Sequence, residues 1–182
     1  MKVISRKCFF YLLKQITFYR GSSHSLSFFV YLHSNFKIFS MKHVKLVWQR
    51  GLAFDAYTPG KDEPLPLDGE EKFGGRGYGY HAKPLMLVSL AGCTGMDVAS
   101  LIKKMRVDEN VTDFTVNVDA NMTDEHPKYY DKVHVTYTFK GKNLDRAKLT
   151  KAVNLSRERY CGVYKMFRSF AEVTHEIIFE EE

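Results

Sequence analysis

The stretch KPLMLVSLAGCTGMDV, from Lys83 to Val98, decides most about the fold of this chain. Pro84 is favoured in the first turn of a helix, and the pattern predicts a helix that continues to about Arg106 through a basic last turn. No charged residue occurs between Leu85 and Met96. A helix that is apolar on all sides is expected to be buried, so this one is predicted to lie at the centre of the fold.

Cys93 lies in the middle of the predicted helix, between Gly92 and Gly95. Glycine in a helix interior costs about 1 kcal/mol relative to alanine, so two glycines beside one cysteine indicate a steric requirement. Two interpretations stay open. The glycines allow either close packing against another helix or access of a ligand to the Cys93 sulfur.

Cys161 follows Cys93 after 67 intervening residues, in neither a CxxC nor a Cys/His zinc spacing. The two side chains are either small buried hydrophobic groups or, in a reducing compartment, a redox-active pair. Four histidines, at positions 43, 81, 126 and 134, show no ligand spacing, and His175 is interpreted as a core histidine. We therefore predict no metal and no cofactor.

A strand is predicted from Val44 to Ala56, where every second residue is apolar. Arg50 is the exception in the middle of that apolar face. Burying an unpaired guanidinium is very costly, so Arg50 is expected to pair with a core carboxylate or to reach solvent at a sheet edge. A functional alternative is a fixed cation that faces a reactive thiolate, and the residues alone leave the choice open.

The remaining patterns predict a short strand, a glycine-rich loop, two half-buried antiparallel strands, one or two helices and a last strand. In chain order these are Leu65–Leu67, Phe73–Tyr80, Phe114–Met122, Val133–Phe139, Asp145–Tyr160 and Val173–Phe179. The loop lacks the GxGxxG phosphate-binding spacing and is interpreted as mobile and beside a site. The order of elements defines an α+β fold. One small sheet covers only one flank of an apolar helix, so a partner subunit is expected to cover the other.

Residues 1–40 differ from the rest, since they hold six of the 27 basic residues and none of the 21 acidic ones. The remainder is therefore electrically neutral, which argues against a nucleic-acid partner. The composition fits an organelle transit peptide or, as the favoured interpretation, upstream sequence read in frame before a start at Met41. We predict that residues 1–40, with Cys8, are an unstructured or spurious extension and that residues 41–182 form one domain.

The apolar runs within residues 1–40 are too short to cross a membrane, and they lack the features of a secretory signal. We therefore expect a cytoplasmic protein without a membrane partner.

The segment Lys83–Val98 resembles the cysteine-bearing helix of the OsmC/Ohr-like superfamily, and the chain is most similar to its OsmC-like branch. Further segments resemble that branch in the same order: Asp124–Pro127, Gly141–Leu144, Tyr160–Val163 and Ala171–Thr174. The resemblance covers essentially residues 43–180. It implies an OsmC-like fold, in which antiparallel sheets surround buried central helices in an intertwined homodimer with two sites at the subunit interface.

The resemblance to the peroxidase members of the superfamily implies that Cys93 attacks a hydroperoxide as a thiolate and becomes a sulfenic acid. Cys161 then condenses with it to a disulfide, which an external dithiol reduces. Arg50 matches the activating arginine of the family, whose positive charge favours the thiolate. The implied catalytic residues are therefore Cys93, Cys161 and Arg50.

One departure from the family pattern concerns Lys83. Peroxidase members carry a glutamate ten residues before the reactive cysteine, and that carboxylate holds the arginine; this chain has Lys83 there.

Two functions are therefore considered for this chain. The first is a thiol-dependent peroxidase acting on organic hydroperoxides. The alternative is a non-catalytic protein that binds a small apolar ligand at the dimer interface, where the loop aromatics Phe73, Tyr78 and Tyr80 would suit a pocket. A third function, a transferase or hydrolase in which Cys93 is an acyl-accepting nucleophile, ranks last because no histidine base is identifiable.

Overall fold

The computed structural model describes residues 42–182, so the extension predicted for residues 1–40 and Cys8 lie outside the described residues. The described part consists of six strands, three α-helices and short helical turns. The strands are β1 Lys45–Trp48, β2 Phe54–Tyr57, β3 Leu65–Leu67, β4 Val111–Met122, β5 Tyr130–Gly141 and β6 Glu172–Glu181. The helices are α1 Ala82–Lys104, α2 Arg146–Leu155 and α3 Gly162–Phe167.

The first sheet has the order β1-β2-β3, with both pairs antiparallel. The prediction of one continuous strand from Val44 to Ala56 is wrong, because the chain reverses between β1 and β2. Arg50 sits in that reversal with a φ of 76° and an exposed side chain. Gly51 follows it with a φ of 57°, a conformation that glycine adopts without steric cost. The alternating pattern thus continues through a tight turn, and Arg50 lies on no apolar strand face.

The second sheet has the order β4-β5-β6, and α1 packs against it. β4 and β5 are antiparallel as predicted, whereas β5 and β6 run parallel. The sheet is therefore mixed rather than antiparallel throughout. The inner face of β5 supplies much of the core, since Val135, Tyr137 and Phe139 are fully buried. Buried residues of α1 pack into the same core; they are Leu90, Val98 and Ile102.

The predicted positions of the helices are confirmed within a few residues. α1 was expected to begin near Pro84 and end near Arg106, and it spans Ala82–Lys104. The helix expected over Asp145–Tyr160 consists of α2 followed by a π-helical turn, Ser156–Tyr160. Asp145 caps α2 by accepting a hydrogen bond from the Lys148 N–H at 3.0 Å. The α+β class is confirmed.

The central helix α1 is long and apolar enough to cross a membrane by length and composition alone. Its position in the fold accounts for that composition, because one face packs on the second sheet. Within residues 42–182 of one chain it is covered on one side only, and cover of the other side by a partner subunit stays a prediction. Met86, Val88 and Met96 on its other face are 44%, 62% and 71% exposed.

Candidate functional site

Cys93 and Cys161 come together in the structure, although 67 residues separate them in sequence. Their sulfur atoms and a carboxylate oxygen of Asp97 all lie within 4.8 Å of one another. Cys93 and Asp97 are one helical turn apart on α1, so they share a face of that helix. Cys93 is half-buried and Cys161 is buried. The first two predicted site residues therefore form one cluster with a carboxylate.

Cys161 is positioned by the end of one helical segment and the start of the next. The π-helical turn ends at Cys161, which is the N-cap of α3. Its sulfur accepts a hydrogen bond from the Tyr164 N–H at 3.3 Å, the bond that a capping side chain normally makes. Burial, and next to it the neighbouring Cys93 side chain, raise the pKa of the Cys161 thiol to about 12, against the opposing effect of the Tyr164 N–H. Cys161 is thus held as a protonated, inaccessible thiol.

A buried chain of hydroxyl groups leads to Asp97. Thr94 Oγ1 lies 2.7 Å from the Tyr137 hydroxyl and 2.9 Å from Ser156 Oγ, and Ser156 Oγ donates to Asp97 Oδ2 at 3.2 Å. An ionised carboxylate can only accept. When Ser156 donates to Asp97, each hydroxyl has only one proton to give, so Thr94 donates to Ser156 and Tyr137 donates to Thr94. The Thr94 carbonyl oxygen, 3.4 Å from Ser156 Oγ, is a second acceptor for the Ser156 proton.

The environment of this hydroxyl chain is dry. Thr94, Tyr137 and Ser156 are fully buried, and burial raises the pKa of Tyr137 to about 12. A buried hydroxyl without a partner would cost free energy, so the groups depend on one another. The carboxylate of Asp97 is consequently oriented from inside the core toward the two sulfur atoms.

Arg50 and Lys83 lie away from this cluster within the chain. Arg50 stacks over the ring of Trp48, with its guanidinium carbon 5.1 Å from the ring centroid. Among the ion pairs of residues 42–182, none involves Arg50, and no hydrogen bond within these residues joins its side chain to either cysteine. Lys83 is exposed in the first turn of α1. The structure therefore brings Cys93 and Cys161 together, and within one chain the third predicted site residue, Arg50, lies outside their cluster.

The glycine-rich loop is tied to the first sheet by polar contacts. The Asp68 carboxylate accepts hydrogen bonds from three backbone N–H groups, those of Gly69, Arg76 and Tyr78, at 2.8 to 3.0 Å. These bonds lower the pKa of Asp68, the Arg76 N–H having the largest effect. The Arg76 side chain donates to the Arg50 carbonyl at 3.2 Å. The loop therefore supports the backbone of the turn that carries Arg50.

Sequence reasoning did not identify Asp97, Thr94, Ser156 or Tyr137 as parts of the site. Asp97 could have been found, because a carboxylate four residues after a cysteine shares its helix face. The hydroxyl chain joins α1, β5 and the π-helical turn. Its members come together only through the tertiary fold, and no local spacing indicates them.

Comparison with known proteins agrees with this architecture. The family model described as OsmC-like protein matches residues 75–176, more than half of the chain. The chain belongs to the OsmC-like protein family. Among curated relatives, Protein YhfA of Escherichia coli K12 is 31% identical over 91 residues, which is 50% of this chain and 66% of that protein.

Solved structures show the same fold. A hypothetical protein from Aquifex aeolicus superimposes with a TM-score of 0.63 at 25% identity, covering 77% of this chain and 98% of that one. An organic hydroperoxide resistance protein OsmC from Legionella pneumophila gives a TM-score of 0.54 at 15% identity, over 78% and 99% of the two chains. The OsmC/Ohr fold expected from the sequence is confirmed.

Proposed function

We propose that this protein is a thiol-dependent peroxidase that reduces organic hydroperoxides. The observation that carries the proposal is the unequal pair of thiols. Cys93 is half-buried and its sulfur lies within 4.8 Å of that of the buried Cys161. A reachable nucleophile beside a protected second thiol is the arrangement that a sulfenate and disulfide cycle needs. The hydroperoxide resistance function is that of the Legionella relative and supports the proposal by analogy of fold.

In the first chemical step, the Cys93 thiolate attacks the terminal oxygen of the hydroperoxide and the O–O bond breaks. The leaving alkoxide takes a proton and departs as an alcohol, and Cys93 becomes a sulfenic acid. Cys161 is the nearby protonated thiol, since its pKa is raised to about 12. An alkoxide is a stronger base than a thiolate, so Cys161 can supply that proton and become a thiolate itself.

In the second step, the Cys161 thiolate attacks the Cys93 sulfur, and hydroxide leaves and is protonated to water. A disulfide forms, and an external dithiol reduces it in two exchange steps. The sulfur atoms must close from within 4.8 Å to the bonding distance of about 2.05 Å. Cys161 lies at the junction of the π-helical turn and α3, where a small change of backbone can provide this movement.

The test is consumption of cumene hydroperoxide by the full-length chain with dithiothreitol as reductant. We expect Cys93→Ser to fall to the uncatalysed rate. Cys161→Ser should complete one turnover and accumulate a sulfenic acid that a 1,3-dione traps. Cys8→Ser is the matched control and should turn over at the parental rate. If the parent consumes no hydroperoxide although its thiols are reduced and titratable, the peroxidase proposal fails.

We further infer a homodimer. The exposed face of α1 is apolar, and a β-carbon added at Gly92 would meet only the end of Met96, at 3.9 Å. No other contact among residues 42–182 requires glycine there, which favours the close approach of a second helix. The first sheet also exposes Leu46, Trp48 and Leu65. Apolar surface of this extent marks an interface.

The homodimer gives Arg50 a route to the cysteines. We infer that Arg50 acts on Cys93 of the other subunit, because it makes no such contact within residues 42–182 of its own chain and its turn belongs to the sheet that these residues leave uncovered. Mixing Cys93→Ser and Arg50→Ala chains tests this. Dimers of one chain of each kind would hold one intact site, so about a quarter of the parental activity should return on random exchange. No recovery after verified exchange would contradict action across the interface.

The binding alternative rests on the exposed loop aromatics, since Phe73, Tyr78 and Tyr80 are 70%, 44% and 59% exposed. Such side chains suit an apolar ligand at a subunit interface. A parent that is inactive in the hydroperoxide assay and that binds a hydrophobic fluorescent probe in a Phe73→Ala-sensitive manner would favour this function. The cytoplasmic location stays a prediction.

A further inference from the structure

We propose that the reduced protein binds a thiophilic divalent cation, Zn²⁺ in the first instance, through Cys93, Asp97 and Cys161. The sulfur and carboxylate atoms of these residues lie within 4.8 Å of one another. Two sulfurs and one oxygen are a donor set that Zn²⁺ accepts. The expectation of no metal rested on the lack of a local ligand spacing among the cysteines and histidines, whereas this cluster is formed by the tertiary fold and contains a carboxylate.

The ligand spacing is suited to a metal. Cys93 and Asp97 are at i and i+4 on α1, the spacing by which helical residues supply two ligands to one ion. Cys161 adds the third from a separate element, the start of α3. With Zn–S bonds of about 2.3 Å, two sulfurs of a tetrahedral site are about 3.8 Å apart. The cluster is wider than this by at most about 1 Å, a gap that side-chain rotation can close.

The groups behind the ligands are also in place. Ser156 Oγ donates to Asp97 Oδ2, which leaves the other carboxylate oxygen of Asp97 for a metal. The Tyr164 N–H donates to the Cys161 sulfur. Hydrogen bonds of this kind orient metal ligands and tune their basicity. Cys93 and Asp97 are only half-buried, so the fourth coordination position opens toward solvent.

The charge of the ligands suits a divalent cation, because two thiolates and one carboxylate carry three negative charges. No ion pair of residues 42–182 involves Asp97. A divalent ion would stabilise all three ligands in their anionic forms. Because a disulfide between Cys93 and Cys161 removes both sulfur ligands, binding would be confined to the reduced protein and would block attack on a hydroperoxide.

The experiment is a titration of the reduced, metal-free, full-length chain with Zn²⁺ in competition with a chromophoric chelator. We expect one Zn²⁺ per chain. Asp97→Asn should weaken binding at least tenfold, whereas Asp119→Asn, an exposed acid on β4, should leave it unchanged. Cys93→Ser and Cys161→Ser should abolish it, and Cys8→Ser should not. Cadmium titration adds a spectroscopic readout, since sulfur-to-cadmium charge-transfer absorption requires the thiolates.

A parent that takes up less than one Zn²⁺ per chain would overturn the proposal, and so would equal affinities for the parent and Asp97→Asn. The Asp97 variant keeps the test decisive if a cysteine variant fails to fold. The site uses the cysteines of the proposed peroxidase but does not depend on that activity. Hydroperoxide turnover by metal-free protein is measured separately: turnover without zinc binding removes only the metal site, and zinc binding without turnover removes only the peroxidase.

Discussion

The residues before α1 and those from α1 onward are stabilised in different ways. From α1 onward, 16 buried side chains form one hydrophobic cluster. Among residues 42–81, the buried apolar side chains are only Ala53 and Ala56. The first sheet instead exposes large side chains, among them Trp48 at 54% and Leu46 at 52%. The described residues thus form two unequal parts, called the first half (residues 42–81), which lacks a core of its own, and the second half (residues 82–182), which has one.

Polar contacts give the first half its shape. Asp55 accepts hydrogen bonds from Gln49 and from the Tyr78 hydroxyl, both at 2.7 Å, and Asp68 accepts three from the loop backbone. Hydrogen bonds contribute about 1 kcal/mol each in net terms, and a small sheet needs an apolar face covered to be stable. This difference supports the proposed homodimer, in which a partner subunit would cover the first sheet.

The largest expected effect comes from placing a charge where the two halves would meet a partner. Met96→Glu puts a carboxylate on the exposed apolar face of α1, where the side chain is 71% exposed in one chain. In a dimer the charge would be buried without a pair, which costs on the order of 3 kcal/mol, or about a hundredfold in the dimer dissociation constant. Sedimentation over a range of protein concentrations measures this, and limited proteolysis should show earlier cleavage before α1.

The matched control for Met96→Glu is Ile178→Glu. Ile178 is also apolar and 39% exposed, but it lies on the open face of the second sheet, among contacts such as that between Thr136 and Glu176. This variant should associate like the parent. Equal association of Met96→Glu and parent would mean that the helix face is not an interface and that the first sheet is stabilised in another way.

The second prediction concerns the half with a core. Thr94→Val keeps the shape of a fully buried side chain and removes the hydroxyl between Tyr137 and Ser156. The Tyr137 hydroxyl then lacks its acceptor, so the free energy of unfolding should fall by about 1 to 3 kcal/mol. Urea denaturation at fixed protein concentration measures it. Thr115→Val, an exposed threonine of β4, should change stability by less than about 0.5 kcal/mol. Equal effects would show that the hydroxyl chain does not stabilise the core.

The same contrast explains which parts of the fold were predictable from sequence. The position of α1 follows from its composition, and β4, β5 and β6 follow from alternation, because each has one face on a core within the same chain. The parallel pairing of β6 with β5 is set by the connection through α2 and α3, which periodicity does not specify. Alternation was misleading over Val44–Ala56. A hairpin turn at Arg50 separates two strands there, but the apolar residues still fall on every second position across the turn, so the sequence resembles one strand.

Some residues of the candidate site could also be predicted from the sequence, and others could not. Cys93 and Cys161 could be paired from sequence only through the family resemblance, because no local spacing links residues so far apart. Asp97 shares a helix face with Cys93 and was within reach of a spacing argument. The contributions of Thr94 and Ser156 depend on how α1 crosses the π-helical turn. Such contacts arise from packing, on which single-sequence patterns carry no information.

The smallest expected effect tests how well the core of the second half excludes water. His175 lies on the inner face of β6, where burial lowers its pKa below 6.5 and the nearby Arg157 lowers it further. The native state therefore resists taking up a proton that the unfolded chain accepts. Above about pH 6.5 both states are neutral at this position, and the residue adds no pH dependence.

As the pH falls below about 6.5, the unfolded state binds the proton first, so the free energy of unfolding decreases until the lower native pKa is passed. His175→Gln cannot titrate and should lose less stability than the parent over this interval. Urea denaturation at pH 7.5 and at pH 5.5 measures the difference. His43→Gln, an exposed histidine before β1, should follow the parent. If the free energy of unfolding of His175→Gln changed with pH as that of the parent does, water would have access to His175 in the native state. The two halves would then differ less in their interiors than their exposed side chains indicate.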